Sequence, residues 1–353
     1  MRPTVSPRWL FAGKAALAAI AVAGLVRLAH PADVRAAWAA VDGRWLAAAL
    51  ALMPLNVALD AVRWGRLVQR VAPGVRMRDA VAAVVGSYPL GLLTPARVGD
   101  LVGRAALLPG VPRGASAALT LGERMATLWC CLVGGALALT VNPAAESAPA
   151  ALWTTVGVWA VVAAVGLGAA IASPGLTGRV LARVVPVGVV RRAVGAFERI
   201  PRREAAVLIA LSALRYAVFS TQFALLVRAF APEAAWLPVA AGVAVVYLLK
   251  SAVPQVTLGD LGVREGVAVF VLAGAGVPAA AALNASLAVF VINLVLPAAA
   301  GIPLLVRLRP ASRAAARTAA ARTAVDRTAA HAAADRAPSA PEAAARDMAG
   351  SAA

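Results

Sequence analysis

The chain has 353 residues, of which 61% are hydrophobic and 14% charged, and its mean hydropathy is +0.81. Soluble domains carry roughly 25% charged residues, so this composition excludes a soluble globular protein and predicts an integral membrane protein. Lysine and arginine total 34 against 16 acidic residues, for a net charge of +18. Two histidines and two cysteines are too few for a Cys/His metal site or a disulfide framework, so neither a metal nor another cofactor is expected.

The first apolar run, Leu10 to Leu28, follows two arginines and is interpreted as an uncleaved membrane anchor rather than a signal peptide, because it is long and more apolar runs follow it. The second run, Trp45 to Val62, leads into the basic segment Arg63 to Arg78. Short basic loops stay in the cytoplasm. We therefore predict that the N-terminus and this segment are cytoplasmic.

Five later runs predict further spans: Met125 to Val141, Leu152 to Ile171, Ala205 to Phe230, Leu237 to Val253 and Ala279 to Val306. The link from Asn142 to Ala150 has no basic residue and is predicted outside, whereas the arginine-rich segment Ser173 to Glu204 is predicted inside. The fold class is thus all-α: a polytopic membrane bundle of about eight crossings, with both termini in the cytoplasm.

The last 47 residues differ in composition from the rest of the chain. Residues 307–353 are rich in alanine and arginine and poor in bulky apolar side chains, so they cannot build a core. We predict a transmembrane domain over residues 1–306 and a disordered cytoplasmic tail over 307–353. An alternative is an arm that touches anionic lipid.

Two hydrophobic regions are interrupted by proline, glycine and charge. The stretch from Ala80 to Leu93 has 14 residues, about 21 Å of helix, and cannot cross a core of roughly 30 Å, so it is predicted to be re-entrant. The second region begins at Lys250, breaks at Pro254 and resumes as a short apolar piece, Gly266 to Val277. Paired broken segments are typical of internally repeated transporters, whose binding site lies between the repeats.

The two interruptions also resemble each other, which indicates an internal repeat. Asp100 and Arg104 are four residues apart, as are Asp260 and Arg264, so each pair can share a helix face and neutralise itself. Charges at membrane depth are rare and tend to be functional, although these pairs could serve structure alone. We expect the two motifs to meet at one polar cavity, and Asp60, beside the basic segment, to matter less.

Four segments carry a resemblance to a known family: Arg63-Trp64, residues 93–104, Glu123-Arg124 and residues 254–265. Together they resemble the lysylphosphatidylglycerol synthase transmembrane-region family, also called flippase-like proteins, over Leu10 to Val306. The family more often has glutamate where Asp100 stands, and this departure shortens the reach of the carboxylate. Its aminoacyl-transferring members add a soluble domain after the membrane part. Here the Ala/Arg tail follows instead, so aminoacyl transfer is not implied.

The resemblance implies a bacterial inner-membrane protein that moves or presents an anionic phospholipid or a lipid-linked intermediate. Guanidinium groups bind phosphate bidentately. The expected phosphate-binding residues are Arg97, Arg104, Arg124 and Arg264. The acids expected to hold those arginines, or to carry a coupling proton, are Asp100, Glu123, Asp260 and Glu265.

Two alternatives belong to other functional classes. One is a small membrane transferase with Asp100 or Glu265 as general base, which sequence cannot test because a base must lie within hydrogen-bond reach of its proton. The other is a non-catalytic partner of envelope-lipid biosynthesis enzymes. Transport or lipid binding is favoured over catalysis. Nucleic acid is not expected as a partner, because the arginines fall in predicted inside loops.

Overall fold

The computed structural model of the protein describes residues 7–94, 97–108, 110–141, 148–173, 200–253 and 261–307. This part of the chain contains helices and no strand. The α-helices are α1 (Pro7–Leu28), α2 (Pro31–Ala39), α3 (Gly43–Val71), α4 (Met77–Leu92), α5 (Val98–Leu107), α6 (Arg113–Leu139), α7 (Ala150–Ala172), α8 (Arg202–Phe230), α9 (Trp236–Ala252), α10 (Val263–Ala273) and α11 (Ala279–Phe290). A π-helix, Val291–Val295, follows α11, and the helix then continues to Arg307.

Local sequence explains where several helices begin. A proline stands directly before α6, α7, α8 and α11, where its fixed φ suits a helix start and its missing N–H ends any preceding helix. Asp42 caps α3, and its carboxylate accepts a hydrogen bond from the backbone N–H of Arg44 at 2.9 Å. Predicted and observed helix ends accordingly differ by only a few residues in most of the described spans.

Four helices in the described part of the chain are long and apolar enough to cross a membrane: α3, α7, α8 and the helix from Ala279 to Arg307. Residues Ala15–Leu28 of α1 and α2 together would make a fifth span, bent by 84°. The chain is therefore a multi-pass membrane protein. The predicted eight crossings are not reached by this measure, because α9 has only 17 residues and the charged pair Glu123-Arg124 interrupts α6.

The outer surface of α7 shows how the bundle meets its surroundings. Its side chains are almost all apolar, and only 11% of its most hydrophobic stretch is buried inside the protein. Val162 and Val165, for example, are 66% and 67% exposed. A helix that is apolar all round and packs on one side only is typical of contact with lipid.

Helices α3 and α8 pack along each other at the centre of the bundle. The structure corrects one prediction here, since α3 does not end at Val62 but continues for more than two turns to Val71. Arg63 is consequently a buried helical residue and not the first residue of a basic loop. Further along α3, Arg66 and Arg70 both pair with Glu204 in the first turn of α8.

The predicted re-entrant stretch forms α4, which folds back on α5 as an antiparallel hairpin. Glycines allow the two backbones to touch. A Cβ atom on Gly99 would overlap the carbonyl oxygen of Leu90, and one on Gly103 would press on Ser87. The side chain of Thr94 joins the two helices, because it donates to Leu90 O at 2.8 Å and accepts from Gly99 N at 2.6 Å.

The second interrupted region is also a pair of packed helices, α9 and α10, which approach closely where Gly242 faces Leu272. The break between them, residues 254–260, lies outside the described residues and includes Asp260. Residues 308–353 lie outside the described part, so the disordered tail stays a prediction.

Candidate functional site

Asp60 of α3 is the centre of a buried ion cluster. Its carboxylate lies 2.9 Å from Arg104 Nη2, 3.2 Å from Arg63 Nη2 and 3.6 Å from Arg215 Nη2. The hydroxyl of Tyr88 donates a fourth contact to Oδ2 at 3.1 Å. These contacts come from three helices besides α3, namely α4, α5 and α8. They leave Asp60 only 5% exposed.

Glu123 of α6 is the second acid of the cluster. Its Oε2 lies 2.6 Å from Arg104 Nη1, and its Oε1 lies 3.6 Å from Arg63 Nε. Arg63 also donates to two hydroxyls, Thr127 Oγ1 at 2.9 Å and Ser212 Oγ at 2.7 Å. Arg104 therefore bridges two carboxylates while its guanidinium lies over the ring of Trp64. Charges buried in this way are tolerated because each has both an opposite charge and hydrogen bonds.

These contacts correct two predictions. The expected pair of Asp100 with Arg104 on one helix face does not form, because Arg104 reaches across to α3 and α6 instead. The expected place of Asp60 beside a basic loop is also wrong, because α3 continues past it and three arginines bind its carboxylate. The physical reason is interhelical packing: the contacts of α5 with α3 and α6 bring Arg104 within 2.9 Å of Asp60 and 2.6 Å of Glu123.

Asp100 belongs to a neighbouring group at the start of α5. Its Oδ2 lies 2.8 Å from Arg97 Nη2 and 3.5 Å from Arg124 Nη2. Arg124 also donates to the backbone carbonyl of Arg97 at 2.8 Å. Arg97 has left-handed backbone angles, φ 53° and ψ 35°, which an arginine adopts only at a cost of about 1 kcal/mol or more. A Cβ on Gly91 would overlap the Asp100 carboxylate, so this glycine makes room for the acid.

The second interrupted region supplies Arg264 and Glu265 at the start of α10. Arg264 Nη2 lies 2.6 Å from Glu265 Oε1, and its Nε donates to Ser286 Oγ at 3.0 Å. The other carboxylate oxygen of Glu265 accepts from the N–H of Gly262 at 2.7 Å and caps the helix. Glu265 is fully buried, and Arg264 is 8% exposed.

Three amide side chains connect α3, α8 and the π-helix. Asn293, in the middle of the π-helix, accepts from Asn56 Nδ2 at 2.7 Å and donates to Gln222 Oε1 at 2.7 Å. Gln222 in turn donates to the carbonyl of Ala49 at 2.7 Å. Short π-helical turns inside α-helices are frequent at functional sites.

All four groups contribute side chains to the lining of one cavity of about 410 Å³. The described side chains lining it include seven cations and three acids, a surplus of four positive charges. The cations are Arg63, Arg97, Arg104, Arg124, Arg215, Lys250 and Arg264, and the acids are Asp60, Asp100 and Glu123. The arrangement can attract and hold an anion.

The structure brings together most of the predicted site residues. Six of the eight line the cavity: Arg97, Asp100, Arg104, Glu123, Arg124 and Arg264. Glu265 lies behind it, bonded to Arg264, and Asp260 lies outside the described residues. Residues flanking both interrupted regions thus share one cavity, while the expected meeting of Asp100 and Asp260 themselves stays a prediction.

Sequence reasoning missed six charged or amide residues of the lining: Asn56, Asp60, Arg63, Arg215, Lys250 and Asn293. Most stand within or at the edge of apolar runs, and that isolation in the sequence was the signal that could have identified them. Among the described residues, no group of three or more histidine, cysteine, aspartate or glutamate side chains is arranged to hold a metal ion.

Comparison with known proteins identifies the family of the chain. A search of curated proteins finds no match to the chain. The family model described as "Lysylphosphatidylglycerol synthase TM region" matches residues 11–301, which covers all the helices that line the cavity. The match contains no soluble aminoacyl-transferase domain. The chain therefore belongs to the lysylphosphatidylglycerol synthase transmembrane-region family.

Proposed function

We propose that the protein binds the anionic headgroup of a membrane lipid, or of a lipid-linked intermediate, in this cavity and moves or presents it between the two leaflets. The observation that carries the proposal is the surplus of positive charge in a cavity built from membrane-spanning helices. A phosphate group is the ligand that a cluster of guanidinium groups favours.

Two pairs of arginines in the cavity differ in burial and, we propose, in their role in binding. Arg63 and Arg104 are almost fully buried and bridge carboxylates, so they hold the helices and set the local field. Arg97 and Arg124 have side chains 28% and 33% exposed, so a headgroup that enters the cavity can reach both of them. We assign the first phosphate contact to this second pair.

Lipid binding is favoured over acid–base chemistry by the state of the three lining carboxylates. Each of them contacts at least one guanidinium within 3.5 Å. Each acid is therefore engaged in holding an arginine in place. The same ion pairs suit a site that must present fixed positive charge to an anion.

A leaflet-exchange assay tests the proposal. The purified chain is reconstituted into vesicles that contain headgroup-labelled phosphatidylglycerol, and an impermeant quencher reports how much label reaches the outer leaflet. We expect the chain to make inner-leaflet label accessible and Arg97→Gln to abolish this, with the variant still folded. Arg76→Gln is the matched control, because Arg76 is exposed and pairs with Asp79 outside the cavity. Undiminished exchange by folded Arg97→Gln would contradict the proposal.

We also propose that the chain lies in the bacterial inner membrane with both termini in the cytoplasm. The arginine-rich segments at Arg66 to Arg78 and 173–204 support this orientation, because basic loops are retained inside. Single cysteines test it: an impermeant reagent added outside should label a cysteine at Ala144 and not one at Arg191. The reverse labelling pattern would overturn the orientation and leave the cavity unaffected.

A further inference from the structure

The cavity has an uncharged end as well as a charged one. Asn56 lies one helical turn before Asp60 on α3, about 6 Å along the helix axis. Both Asn56 and Asn293 line the cavity. The amide groups therefore border the same space as the arginines, displaced toward the N-terminal end of α3.

The direction of the amide hydrogen bonds is fixed from one end. The carbonyl oxygen of Ala49 can only accept, so Gln222 must turn its Nε2 toward it. Gln222 Oε1 is then left to accept from Asn293 Nδ2, and Asn293 Oδ1 must accept from Asn56 Nδ2. No other orientation of the three amides satisfies every contact.

The chain of amides consequently ends on an acceptor. Asn56 is only 4% exposed, and its Oδ1 is buried without a hydrogen-bond partner. A buried acceptor without a donor is costly, and the space next to Asn56 is the cavity. We propose that Asn56 Oδ1 accepts a hydrogen bond from the ligand, so that the site takes a phosphodiester headgroup that also carries a hydroxyl or N–H donor.

This inference rests on the proposed function, since it assigns a second contact to the same bound headgroup. The arginines bind the phosphate, and Asn56 distinguishes headgroups by what is attached to it. Asn56 is thus a specificity-determining residue, held in place by Asn293 and Gln222. The π-helix supports this role because it is the turn from which Asn293 reaches both α3 and α8.

Two lipids of equal charge test the inference. Phosphatidylglycerol and phosphatidylmethanol are both phosphodiesters with one negative charge, but only the glycerol headgroup has hydroxyl donors. Binding of each to the purified full chain is measured by titration in detergent. We expect phosphatidylglycerol to bind about fivefold more tightly, the effect of one net hydrogen bond.

Two variants test whether Asn56 causes this difference in affinity between the two lipids. Asn56→Leu keeps the volume of the side chain and should reduce the ratio of the two affinities to about one while leaving phosphatidylmethanol binding unchanged. Asn284→Leu is the matched control: Asn284 is buried on α11 and also has an unpartnered Oδ1, but it does not line the cavity. Its ratio should remain about fivefold.

The outcomes separate this inference from the proposed function. Equal binding of both lipids by the wild type, or an unchanged ratio in Asn56→Leu, overturns the inference and leaves anionic-lipid binding intact. Failure of both lipids to bind better than phosphatidylcholine overturns both. Should Asn56→Leu not fold, the wild-type ratio still decides, and the smaller Asn56→Ala replaces it as the variant.

Discussion

Asp60→Asn is the most informative change to the ion cluster. The substitution keeps the shape of the side chain but removes the charge that faces Arg63, Arg104 and Arg215 at 3.2, 2.9 and 3.6 Å. Breaking a buried ion pair from one side costs about 3–5 kcal/mol, because the remaining charge stays buried. We expect the free energy of unfolding to fall by that amount.

The matched control is Asp79→Asn. Asp79 also lies near arginine, with its carboxylate 2.9 Å from Arg76 Nε, but both side chains are largely exposed. Surface pairs of this kind contribute about 0–1 kcal/mol. The two variants should therefore differ by at least about 2 kcal/mol in denaturant unfolding followed in detergent.

Added lipid gives the assay a second readout. Asp60→Asn leaves the cavity with one more uncompensated positive charge, so a bound anionic lipid should stabilise the variant more than the wild type. We expect phosphatidylglycerol to raise the unfolding midpoint further in Asp60→Asn than in the wild type, and phosphatidylcholine to raise neither. Equal stability of the wild type, Asp60→Asn and Asp79→Asn would refute the reasoning about a buried cluster.

Three further predictions concern the scaffold. Gly99→Ala should lower the free energy of unfolding by about 1–3 kcal/mol, as overpacking does, because the new Cβ would overlap a backbone carbonyl across the α4/α5 hairpin. Gly114→Ala is the control, since a Cβ there meets open space. Unfolding midpoints of the two variants are compared. Hydrogen bonds from Arg44 lower the pKa of Asp42 below its usual value of 3.8. The stability that this ionised cap adds is therefore present above pH 3.8 and is lost as the pH falls through the lowered pKa. Asp42→Ala should be less stable than the wild type at pH 7, and the difference in unfolding midpoint should shrink in acid. Deleting everything after Pro310 should leave the unfolding midpoint nearly unchanged, and a large loss would show that the tail packs on the bundle.

Sequence reasoning predicted the helical class and most helix ends because apolar runs, prolines and glycines act locally. The stretch from Ala80 to Leu93 is a clear example, since the run ends at proline and glycine and the chain then folds back from α4 into α5. That it is re-entrant in the membrane stays a prediction. Asp100 and Arg264 were found because charge beside Pro and Gly is unusual in an apolar run. These features need only a few neighbouring residues to be recognised.

The partners of those charges could not be predicted in the same way. Arg104 binds carboxylates 44 residues before it and 19 residues after it, and only the packing of α3, α5 and α6 brings them together. Arg63 was assigned to a loop because the rule that basic residues mark inside loops does not detect a helix that continues. Arg215 stands alone within an apolar run, and nothing near it in the sequence predicts that it reaches Asp60.

The order in which the chain is synthesised gives the ion cluster a further consequence. Asp60 emerges from the ribosome first, Arg104 next, Glu123 later and Arg215 last, so the cluster cannot be complete until α8 has been made. A nascent chain stopped after α5 would hold Arg104 with only one of its two carboxylates. The early helices therefore lack part of this stabilisation until Arg215, encoded 155 codons after Asp60, has been made.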